Sequence, residues 1–173
     1  METIYIPKSE LGKVEVAGFT NSFNKQSMPI TIQSKIFRKG DECKVVFRIR
    51  SNSKNSGALR DTVVSMAIHP SMISNTLTIN GNNGSYNELK KLVTWRLKEL
   101  PIRNGLIFGA SGKLIPSYAI DTSKMPTFPI VLRCDSRTDG ISGVEVKAKS
   151  NDSELSKVTA KTYNSFRLVH RAQ

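Results

Sequence analysis

Gly109-Ala-Ser-Gly112-Lys113 places glycines beside a lysine, the ingredients of a loop that cradles phosphate. The full pattern needs a glycine five residues before Gly112 and a hydroxyl directly after Lys113. Those positions hold Ile107 and Leu114, so no side chain is left for a magnesium ion and the pattern fails. His69 and His170 stand alone, outside any Glu-x-x-His or His-x-x-x-His spacing that would bring two ligands to one face, and no metal site is expected. Cys43 and Cys134 are too few for a disulfide framework, and both sit in strand-like apolar contexts, ECKVVF and VLRCDS. They read as reduced, buried thiols in a reducing compartment. The acidic residues are scattered singly, so paired carboxylates for acid–base work are not visible, and the reading is of a protein that is not an enzyme, with no cofactor and no small-molecule substrate.

Charge is the strongest signal. The 173 residues carry 26 Lys and Arg against 14 Asp and Glu, a formal net charge of +12. Such an excess favours polyanionic partners and speeds encounter with them. Cations are spread along the chain, which assigns the field to a folded surface. With aromatic residues at 7 % there is no basic-aromatic interleaving of the base-stacking kind, so any nucleic-acid contact would be to phosphates. No apolar run approaches the roughly 20 residues a bilayer crossing needs, and METIYIPKSELGK has no apolar core behind a basic start.

Three elements must position these charges. PITIQSKIF, RKGDE and CKVVFRIRS form a hairpin turning at Gly40-Asp41. Its second strand alternates Val45, Phe47 and Ile49 with Val46, Arg48 and Arg50, one face apolar and the other increasingly basic. With Lys35, Arg38 and Lys39 opposite, the hairpin offers a basic ledge, the first candidate for polyanion binding. Ser85 and Glu88 then make a capping box, and Tyr86, Leu89, Leu92, Val93, Leu97 and Leu100 share one face of a predicted helix ending at Pro101. The YxxL form Tyr86–Leu89 reads there as core. Trp95 falls on the opposite side, one turn from Lys91 and Lys98, which join the candidate polyanion contacts. The indole is read in three ways: covered by another part of the fold, a protein–protein anchor, or a membrane-interface residue beside anionic lipid. Late in the chain, FPIVLRCDSRTDGISGVEVKAKS reads as a second hairpin, turning at Thr138-Asp139-Gly140. KTYNSFRLVH near the end alternates like a strand. Length and the lack of a linker or repeat predict one domain over 1–173, with 1–12 suited to an extended N-terminal arm.

The order of these features, from KVVFRIRSNSKNS through YNELKKLVTWRLKELP and NGLIFGASGKLIPS to the late hairpin, resembles the matrix protein of rhabdoviruses, in particular the short plant-virus type, over residues 44–150. The lysine-rich N-terminal tail and the PPxY motif of animal-virus members are absent. The resemblance implies an α+β fold, an antiparallel sheet packed by two helices with a second small sheet or hairpin. It implies a structural protein that self-associates and bridges the viral nucleocapsid and the anionic inner face of a membrane, located in the virion beneath the envelope, in the host cytoplasm and at inner membrane faces. On that reading Trp95 belongs to an association surface, and Tyr5, Ile6 and Pro7 dock on the next subunit. The alternatives are a non-catalytic RNA-binding viral accessory protein of the silencing-suppressor or movement type, a capsid-type shell protein, and a small hydrolase.

Overall fold

The computed structural model describes residues 28–138 and 164–172. Its regular structure is almost entirely strand, in two antiparallel sheets. The first contains β1 (Ile30–Lys39), β2 (Glu42–Ser51), β4 (Thr78–Asn80) and β7 (Gly105–Lys113), in the order β1-β2-β7-β4. The second contains β3 (Leu59–Ala67), β5 (Gly84–Asn87), β6 (Leu92–Leu100), β8 (Phe128–Ser136) and β9 (Asn164–Ala172), in the order β5-β6-β3-β8-β9. One turn of helix, α1 (Pro116–Ala119), lies between β7 and β8. The expected α+β fold with two packing helices is therefore replaced by a pair of sheets. Among the described residues no helix is long and apolar enough to cross a membrane.

Alternation drives this packing. Val45, Phe47 and Ile49 are at most 1 % exposed while Lys44, Arg48 and Arg50 between them are exposed, so the β1–β2 hairpin forms as its sequence predicts. Gly40 takes φ 61° at the turn, a conformation glycine adopts without steric cost. The inward faces meet through aromatic rings. Phe47 and Trp95 contact edge to face at 5.3 Å, and Phe108 lies 5.6 Å from Phe47 and 5.5 Å from Trp95. Rings of this size each remove about 150–250 Å² from water, roughly 4–6 kcal/mol apiece at about 25 cal/mol per Å². That is an upper bound, since an unfolded chain already hides part of this surface.

The predicted helix over residues 85–100 is a hairpin, β5 paired with β6 through a turn at 88–91. Lys91 adopts φ 47° there, and Leu89, expected in the core, is 98 % exposed. The misleading signal has a physical source. Along β6, Val93 and Trp95 point inward and Leu97 is half-buried, but the next buried residue is Leu100, three positions on. On the opposing strand Leu59 is likewise buried three positions before Thr62, with Asp61 between them at φ 47°. The inward alternation skips a residue on both strands, which leaves Val93, Leu97 and Leu100 at helical spacing.

The second expected hairpin is also revised. Both edges of β8 are occupied, by β3 and by β9, so its partner from late in the chain is 164–172. Asp139, Gly140 and the expected return strand lie outside the described residues, as do Tyr5, Ile6, Pro7 and the arm 1–12.

Candidate functional site: a basic sheet face

Directly opposed residues of an antiparallel pair share a face, so the registers lay out the outer surface of the first sheet. Thr31 opposes Arg50, Gln33 opposes Arg48, Lys35 opposes Val46, Phe37 opposes Lys44 and Lys39 opposes Glu42. On the other flank of β2, Arg48 opposes Ile107, Lys44 opposes Ser111 and Glu42 opposes Lys113. One face thus gathers Lys35, Lys39, Lys44, Arg48, Arg50 and Lys113 against the carboxylates of Glu42 and, at the turn, Asp41. Between the cations stand exposed apolar side chains, Phe37 at 48 % and Ile107 at 64 %. The Lys35 ammonium sits 5.0 Å from the Phe37 ring centre, which orients both.

At the turn end of this sheet a groove of about 660 Å³ is lined by Phe37, Lys39, Lys44, Thr76, Ser111 and Lys113, among others. Its rim is held locally. The Thr76 hydroxyl oxygen accepts the Lys113 N–H at 2.9 Å, and the Lys113 ammonium lies 3.6 Å from the Asp41 carboxylate. That ion pair is half-exposed, and such pairs contribute about 0–1 kcal/mol, so it orients the lysine more than it stabilises the fold. Gly109 is required where β7 crosses β2. A Cβ there would collide with the Val45 carbonyl oxygen.

Of the expected polyanion contacts, Lys35, Lys39, Arg48 and Arg50 come together here. Arg38 does not join them, because its guanidinium is committed to main chain. It donates to the carbonyls of Gly40 at 3.3 Å, Tyr118 at 3.1 Å, Ala119 at 2.9 Å and Asp121 at 2.9 Å, and also to Lys124, while stacking 5.6 Å from the Tyr118 ring centre. Five acceptors match the five N–H groups a guanidinium has. Arg38 is thus the anchor of the 118–124 segment. Asp121 in that segment has its carboxyl drawn down to a pKa of about 2, chiefly by the Ser123 hydroxyl donating at 2.5 Å, with Lys124 adding to it.

Lys91, in the β5–β6 turn, and Lys98, on β6, belong to the other sheet and are not part of this face. Trp95 is 0 % exposed in the core, because the residue that a helix would turn outward is turned inward by a strand. Lys44 and Lys113 were missed. Lys44 continues the Arg48 and Arg50 alternation by two more positions and was available to sequence reasoning; Lys113 arrives only because β7 pairs with β2.

Neither histidine is placed for catalysis by a neighbouring acid. His69 Nδ1 lies 2.6 Å from the Ser71 hydroxyl, and His170 Nε2 lies 2.7 Å from the Ser34 hydroxyl, a bond that ties β9 to β1 across the two sheets. Both thiols are buried. Burial pushes the pKa of Cys43 up to about 11 and that of Cys134 to about 12. Among the described residues no three His, Cys, Asp or Glu side chains are grouped to hold a metal.

The family model of the muniscin C-terminal mu homology domain matches residues 13–172. The chain belongs to that family. Among solved structures, this mu homology domain is similar to the Fcho1 Mu homology domain of Danio rerio with bound Eps15 peptide, at a TM-score of 0.50 and 13 % identity. The match covers 66 % of this chain and 40 % of that one, so the chain spans well under two thirds of that structure's length, and the likeness speaks for the fold. No curated protein matches the chain. Membership of the mu homology family overturns the rhabdovirus matrix resemblance, and with it the virion-layer function, the RNA-binding viral alternative and the location beneath an envelope. The shared features were the order of a basic strand, a supposed helix, a glycine-bearing apolar run and a late hairpin, and that helix is a hairpin.

Proposed function

We propose that this chain is a non-catalytic adaptor domain that docks an extended acidic peptide of a partner protein on the outer face of its first sheet. The observation that carries this reading is the composition of that face, six cations against the two carboxylates Glu42 and Asp41, set around exposed Phe37 and Ile107. Charge complementarity of this kind speeds encounter and fixes orientation, while the apolar side chains supply contact area. The groove beside Phe37 receives one apolar side chain of the peptide, and Lys39, Lys44 and Lys113 face its carboxylates. The Eps15 peptide bound by the Fcho1 domain supports a peptide-docking role.

The test is fluorescence anisotropy with a labelled peptide of alternating glutamates around one phenylalanine. Binding should weaken with salt, and Lys44→Glu combined with Arg48→Glu should weaken it tenfold or more. Equal affinity of the native and doubly substituted domains would overturn the assignment of this face.

A further inference from the structure

The opposite outer surface carries a second, separate concentration of charge. Val63 on β3 opposes Arg96 on β6 and, on its other side, Arg133 on β8; Arg133 in turn opposes Arg167 on β9. The register therefore lines up Arg96, Val63, Arg133 and Arg167 across four neighbouring strands. All three arginines are exposed. Among the described residues none of their guanidiniums makes a hydrogen bond or an ion pair. The rows on either side differ. Toward one end Arg60 opposes both Glu99 and Asp135, so acid outnumbers base there. Toward the other lie Thr94, Ser65, Val131 and Val169, with Arg171 beyond.

Like charges directly opposed on adjacent strands destabilise a sheet. Arg133 and Arg167 stand in that relation with no carboxylate between them. Their Cβ atoms are about 5 Å apart in such a pair, close enough for both guanidiniums to grip one phosphate dianion through paired N–H groups. Arg96 lies two strand spacings from Arg133, so it sits about 12 Å from the midpoint of the Arg133–Arg167 pair. An extended peptide covers about 13 Å in four residues and returns its side chain to the same face.

We infer that the Arg96–Arg133–Arg167 row is a docking site for a phosphorylated peptide segment that crosses the second sheet. One phosphate sits between Arg133 and Arg167 and another, four residues away, sits at Arg96. The site is independent of the acidic-peptide face, which lies on the other sheet.

The experiment titrates the whole chain with three probes: a peptide bearing phosphoserines four residues apart, its unphosphorylated form, and phosphatidylserine–phosphatidylcholine vesicles. Arg133→Gln with Arg167→Gln should weaken the doubly phosphorylated peptide tenfold or more without lowering the melting temperature. Arg133→Lys with Arg167→Lys, which retains both charges but not the forked donors, should lose several-fold. Lys44→Glu with Arg48→Glu removes more positive charge, yet should leave this affinity within twofold. Equal binding of phosphorylated and unphosphorylated peptides would overturn the proposal. So would a larger loss in the Lys44/Arg48 variant, which would reduce the effect to net charge. Vesicle binding lost on arginine substitution, with no peptide binding, would assign the row to a lipid surface and equally overturn it.

Discussion

The indole N–H of Trp95 donates to the main-chain oxygen of Asn80, 3.2 Å away, from β6 of one sheet to the edge strand β4 of the other. The turn that supplies this acceptor is shaped to the ring. Gly81 takes φ 105°, and a Cβ on Gly84 would come within 2.7 Å of the indole nitrogen. The single tryptophan is thus held by the Phe47 and Phe108 rings on one side and a glycine turn on the other.

Replacing Trp95 by Ala should cost about 3–5 kcal/mol, since it removes a large buried ring and leaves a cavity. Trp95→Phe should cost less, while leaving the Asn80 carbonyl without its donor. Denaturant unfolding measures both, and an unchanged midpoint for Trp95→Ala would place the indole outside the core.

Thr62 is 0 % exposed, and its hydroxyl has no hydrogen-bond partner. A buried polar group left unpaired costs about 1–3 kcal/mol. Thr62→Val keeps the branched shape and discards that cost. It should raise the free energy of unfolding by about 1 kcal/mol, and a destabilised variant would mean that the hydroxyl is satisfied in solution.

Arg38→Lys keeps a positive charge but offers one ammonium in place of a five-donor fork. The carbonyls of Tyr118, Ala119, Asp121 and Lys124 would share it poorly. Faster amide exchange and protease cleavage confined to 116–125 are expected, with a stability loss of about 1.5–3 kcal/mol for charge-assisted bonds. Uniform loosening of the whole domain would contradict a local anchor.

Burial holds the pKa of both His69 and His170 below the ordinary 6.5. Between the folded and unfolded values the unfolded chain binds more protons, so stability rises with pH there. The contribution is fully present above the unfolded pKa and is lost as pH falls through the folded one. Melting temperature should therefore drop between pH 7 and pH 5, and His69→Gln with His170→Gln should flatten that drop. An unchanged slope in the double variant would shift the effect to other groups.

The β1–β2 hairpin was legible because two local signals agreed, a Gly-Asp turn and strict alternation from Val45 to Arg50. Residues 85–100 were not legible, because an outlying skip at Asp61 and Lys98 set Leu97 and Leu100 three apart and satisfied a helical template. The basic face was half visible for the same reason. Lys35, Lys39, Arg48 and Arg50 lie on one hairpin, whereas Lys113 and the row from Arg96 to Arg167 depend on strands brought together from distant parts of the chain. No local periodicity encodes which strand lies beside which.

The two thiols occupy different sheets, Cys43 on β2 and Cys134 on β8, and each is sealed to 2 % exposure or less. With pKa values near 11 and 12, neither presents appreciable thiolate at neutral pH while the domain is closed. Alkylation by a small thiol reagent must then wait for an opening event, so its rate at each cysteine becomes a clock for the sheet that holds it. If the halves of the molecule come apart together the two clocks will keep the same time; if one sheet frays alone, its cysteine will run ahead.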